Sequence, residues 1–99
     1  MEFVQIVEFT TRKMDEVEST LDEYRAKREA AGAPMPVQVL QCQDRDQPNT
    51  YVAVVRFPSY EAAMENSNHP DTAAMAERLA ELCDSPPQFR NLDLIRDAV

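Results

Sequence analysis

Hydrophobic positions alternate with polar ones along four short stretches of the chain, and recur every three or four residues along the segments between them. The first alternating run covers residues 2–10, with Phe3, Val7 and Phe9 on one side and Val4 and Ile6 on the other. Residues 14–31 follow with helical spacing: Met14, Val17, Leu21 and Tyr24 form one apolar stripe. Acids crowd its first turns (Asp15, Glu16, Glu18), while Lys27 and Arg28 sit near its end, the arrangement a helix dipole favours. These charges read as a solvated outer face, and Glu23 with Lys27 adds an i,i+4 pair. Gly32, the single glycine, and Pro34 mark the stop.

A second strand is expected over 37–43, where Val37 and Val39 oppose Leu40 and Cys42. The polar run 44–49 makes a turn, and a third strand covers 51–57. There Tyr51, Ala53, Val55 and Phe57 face one way, and Val52, Val54 and Arg56 the other. Ser59 caps a helix that offers Tyr60, Ala63 and Met64 inward and breaks at Asn68-His69-Pro70. Proline is best tolerated in a first helical turn, so a new helix starts there, with Met75, Leu79 and Leu82 as its stripe. It stops at Asp84-Ser85-Pro86-Pro87, and a fourth strand is expected over 88–96, with Phe89 and Ile95 opposing Leu92 and Leu94.

The order is strand, helix, strand, strand, broken helix, strand. It predicts an α+β fold: a ferredoxin-like βαββαβ domain over residues 1–99, its helices on one face of an antiparallel sheet. Helices cover only one face, yet the first and third strands are apolar on both. A homodimer packed sheet against sheet closes the remaining face most economically.

Composition narrows the partners. Eighteen acidic against ten basic residues give a net charge of −8, which repels phosphate backbones and anionic lipid, so neither nucleic acid nor membrane is expected as a partner. No apolar run is long enough to cross a bilayer and no leader opens the chain, so a cytoplasmic protein is the expectation. Cys42 and Cys83 read as reduced, half-buried small hydrophobes, and with one histidine they cannot build a structural zinc site. No metal site is expected.

At Phe57-Pro58-Ser59-Tyr60-Glu61-Ala62 the chain resembles the dimeric α+β barrel superfamily, in particular its antibiotic biosynthesis monooxygenase-like domains. Their pattern is a strand, an aromatic, S-x-E-A, then a helix broken at a proline, here Pro70. The resemblance implies a two-fold dimer with a small-molecule cavity between helices and sheet in each subunit. It also implies an oxidoreductase activity in some members, the oxidation of aromatic polyketides or quinols by oxygen without metal or flavin, and haem degradation in others. The chain departs from the pattern at one place. The histidine often found nine residues after the aromatic is replaced by Asn66, His69 falls three positions later, and Phe57 stands where tryptophan is usual. With no tryptophan in the chain and the histidine shifted, haem degradation loses most of its support, and a haem-handling protein is a disfavoured third reading.

Each site residue carries two readings. His69 is either a general base that takes a proton from a phenol or a cap for the helix at Pro70. Asn66 and Asn68 either donate to a substrate oxygen or cap the broken helix. Tyr60, Met64 and Met75 suit the wall of an aromatic-binding cavity as well as plain core. Tyr24 and Tyr51 could hold an aromatic ligand or donate a proton, but core or edge packing accounts for both; Arg56 could pair an acidic ligand group, but one of the chain's own acids is the commoner partner. Two functions follow: a cofactor-independent monooxygenase with His69 as base and Tyr60 and Asn66 orienting substrate, or a non-catalytic dimer module that binds a ligand or a protein.

Overall fold

The computed structural model describes residues 1–98. It contains β1 (Phe3–Thr10), α1 (Met14–Ala30), β2 (Gln38–Gln43), β3 (Thr50–Phe57), α2 (Tyr60–Ser67), α3 (Pro70–Leu82) and β4 (Gln88–Asp93). The four strands form one antiparallel sheet in the order β2-β3-β1-β4, the ferredoxin-like arrangement. The domain measures 35 × 34 × 19 Å, and the short dimension leaves room for two layers, one of helices and one of sheet.

The predicted punctuation holds at Gly32, Ser59 and Pro70. Ser59 Oγ accepts a hydrogen bond from the Ala62 amide at 3.1 Å, and α3 begins with Pro70 in its first turn. Gly32 adopts φ +72°, a left-handed conformation that costs a glycine nothing. The Gly32 amide donates to the Glu29 carbonyl and the Ala33 amide to the Arg28 carbonyl, which closes α1 as a Schellman motif. At the other end of α1, Thr11 is buried: its hydroxyl donates to the Leu82 carbonyl at 2.6 Å and accepts from the Lys13 amide. One side chain thus ties the end of β1 to the end of α3.

The helix-facing side of the sheet carries the core. Val7 and Phe9 pack with Val17 of α1 and with Leu79 and Leu82 of α3. Phe3, Phe57 and Ala63 form a second cluster, with Met64 against it. On the opposite face, Leu40, Val54 and Ile6 stand in register across β2, β3 and β1, followed by Val4 beside Leu92. No helix or strand among the described residues covers this row, and Leu40 is 47% exposed. Arg56, on the same face, forms ion pairs with Glu2 and Asp97, so it is matched within the chain.

Three expectations need correction. The fourth strand ends at Asp93 rather than residue 96, because β1 has run out: Phe3, its first residue, pairs with Asp93, and only the Leu94 amide reaches back, to the Glu2 carbonyl. Ile95 is consequently 87% exposed. Cys42 is exposed on the uncovered sheet face rather than half-buried, while Cys83 is partly buried as expected. Arg28 belongs to no solvated face: it is 5% exposed, one turn beyond Tyr24 on the inward stripe of α1.

Candidate functional site

The helices leave part of the sheet open. Every residue of β2 is exposed, Val39 on its helix-facing side included, whereas Val17 of α1 and Leu79 and Leu82 of α3 pack with Val7 and Phe9 of β1, and Tyr51 and Ala53 of β3 pack against that cluster. The gap is a cavity of about 540 Å³, within the range of small-molecule sites. Its floor is the sheet (Val7, Phe9, Ala53, Val55), and Met75 and Leu79 of α3 stand among the residues above it. The loop Pro34–Pro36 closes one side, and the exposed Glu18, Asp22 and Arg25 of α1 stand at the mouth.

Polar chemistry concentrates where three helices meet. The Tyr24 hydroxyl donates to Asn66 Oδ1 at 3.0 Å and lies 2.7 Å from Thr72 Oγ1. A phenol has one proton, so with that proton on Asn66 the Thr72 hydroxyl is the donor to Tyr24. With the Asn66 amide oxygen toward Tyr24, both Nδ2 protons point away from it, and neither has a protein partner among the described residues. All three residues line the cavity. The site therefore has an apolar floor and, at one end, an amide with two donors to offer.

Of the residues singled out from the sequence, Asn66 and Met75 line this cavity. His69, Tyr60 and Met64 do not. His69 is the N-cap of α3: its Nδ1 accepts from the Asp71 amide at 3.0 Å, and the ring is partly exposed. Tyr60 is 52% exposed and sets its ring edge-on to Phe3, with centroids 5.4 Å apart. Met64 packs on the Phe3–Phe57–Ala63 cluster. Asn68 is the C-cap of α2. Tyr51 stacks on Phe9, as a packing residue does. Tyr24, for which the sequence favours packing over a ligand role, lines the site, and Thr72 is not singled out by the sequence at all, since their meeting with Asn66 depends on helix packing. Among the described residues no group of three or more His, Cys, Asp or Glu stands where it could hold a metal ion.

Solved structures share the whole architecture. SnoaB, a cofactor-independent oxygenase from Streptomyces nogalater, superposes with a TM-score of 0.80 at 22% identity, covering 97% of this chain and 95% of that one. The fold is that of the antibiotic biosynthesis monooxygenase-like domains. A Caulobacter crescentus protein described as a candidate antibiotic biosynthesis monooxygenase gives a TM-score of 0.80 at 14% identity, covering 96% of this chain and 91% of that one. Rv0793 from Mycobacterium tuberculosis gives 0.78 at 18% identity over 100% of both chains. No family model and no curated protein sequence matches the chain. The monooxygenase-like fold is thus recognised by shape, at identities too low to carry residue roles.

Proposed function

We propose that the cavity binds an aromatic, polyphenolic molecule and oxidises it with molecular oxygen without a cofactor; SnoaB, which shares the fold, is described as a cofactor-independent oxygenase. One observation carries the reading: an apolar cavity of about 540 Å³ ends in an asparagine amide whose Nδ2 protons have no protein partner among the described residues. A polycyclic phenol lies flat on Ala53 and Val55, with its ionising oxygen at Asn66. The phenol proton is released at the mouth, where Glu18 and Asp22 stand. The electron-rich phenolate then reduces oxygen and forms a ring hydroperoxide, which loses water to leave a carbonyl. Phenol plus O2 gives quinone plus H2O, so the substrate itself supplies all four electrons that reduce O2 and no external reductant enters. Asn66 stabilises the negative oxygen throughout, and Tyr24 with Thr72 holds the amide in position.

The base role read for His69 is not part of this proposal, because the ring lies outside the cavity and its Nδ1 serves the cap. Oxygen uptake with a panel of hydroxylated naphthalenes and anthracenes tests the reading. Uptake that falls by about 10²–10³ in Asn66→Ala supports it. Uptake unchanged in that variant refutes the role of Asn66. A second reading, a binding module without chemistry, is favoured by one feature: among the described residues no His, Lys or Cys lines the cavity. Ligand binding without oxygen uptake across the panel would establish it.

The apolar row on the free sheet face supports a homodimer packed sheet against sheet. No helix among the described residues is long and apolar enough to cross a membrane, and the charge of −8 argues against anionic surfaces as partners. A cytoplasmic location remains part of the proposal.

A further inference from the structure

Arg28 is the least expected side chain in the cavity wall. It is 5% exposed, yet its Nε has no hydrogen-bond partner and it takes part in no ion pair among the described residues. Eighteen acids were available to match it, and even exposed arginines such as Arg12 and Arg78 have found one. A guanidinium with a buried, unpartnered Nε and no acid beside it is costly to folding and is tolerated where something outside the chain completes it. Its fork of donors fits a carboxylate in two parallel hydrogen bonds. We infer that the cavity is built for an aromatic substrate that carries an anionic group, a carboxylate, which Arg28 binds.

The placement sets the shape of that substrate. Arg28 lies four residues beyond Tyr24 on one face of α1, about 6 Å along the helix axis. A ring system whose phenolic oxygen meets the Asn66 amide therefore presents its carboxylate roughly one ring further along. The loop Pro34–Pro36 borders the same cavity, and a guanidinium kept from bulk water discriminates more strongly between charged and neutral groups. Overall charge works against this preference: at −8 the protein repels anions in general, so selection of an acid requires a local cation.

The inference rests on the cavity being a ligand site, and calorimetric titration with a matched pair separates the two. Anthraquinone-2-carboxylate and its carboxamide share a ring system that is already oxidised, so neither turns over. Wild-type protein is expected to bind the acid at least tenfold more tightly than the amide. In Arg28→Gln the preference should vanish while amide binding persists, which shows the cavity intact. Arg25→Gln, at the exposed mouth, should keep the preference. Equal binding of acid and amide to the wild type overturns the role of Arg28 and leaves the cavity reading standing. Binding of neither overturns both.

Discussion

Replacing His69 with alanine separates the two roles its sequence position suggests. In the structure its Nδ1 accepts the Asp71 amide at 3.0 Å, satisfying one of the orphan donors at the start of the 13-residue helix α3. Loss of an N-cap side chain costs about 1 kcal/mol, within a range of roughly 0.5–2. For a domain of about 100 residues each kcal/mol lowers the melting temperature by about 4–8 °C. Thermal melting of His69→Ala should therefore fall by several degrees. His69→Asn offers an amide oxygen at similar reach and should recover most of the loss. Oxygen uptake on a polyphenol, measured well below the melting temperature, should be unchanged in both. A variant that melts like the wild type but has lost oxygen uptake would refute this reasoning and make His69 the base.

Three further outcomes follow from the structure. Arg28→Met removes a buried unmatched charge from an apolar stripe, so the variant should melt higher, by roughly 1 kcal/mol, while acid binding is lost; a lower melting temperature would mean that Arg28 has a partner within the fold. Val54→Lys places a charge at the centre of the Leu40–Val54–Ile6 row, and sedimentation should show a dimer for the wild type and a monomer for the variant; identical masses would remove the sheet-face dimer. Burial first, and then the neighbouring Asp84, push the Cys83 thiol above its ordinary pKa. Less thiolate forms at a given pH, so Cys83 should alkylate more slowly than a free thiol at mildly alkaline pH and catch up as pH rises; labelling at the free-thiol rate would contradict this.

The fold was legible because its signals are local. Gly32, Ser59 and Pro70 act within a few residues of themselves, and strand alternation shows which positions share a face. The last strand was overestimated for a non-local reason: Leu94 and Ile95 continue the apolar run, but the ladder stops where β1 begins at Phe3. The site was less legible for the same reason. Tyr24 meets Asn66 across 42 residues and Thr72 across 48, so its phenol reads as packing until α1, α2 and α3 are assembled. Arg28 looked like a partner for the helix dipole because a cation near a helix end usually is one. Only the packing of the chain around the end of α1 shows that it is buried. His69, the residue with the most recognisable chemistry, is accounted for by its place beside Pro70.

The most direct test of the account is amide chemical-shift mapping by NMR with emodin, a polyhydroxylated anthraquinone that is already oxidised. The account predicts shifts that cluster at Tyr24, Ala53, Val55, Asn66 and Met75, around the cavity. Shifts confined to Val4, Leu40 and Val54 on the free sheet face, or no shifts at saturating emodin, would contradict it.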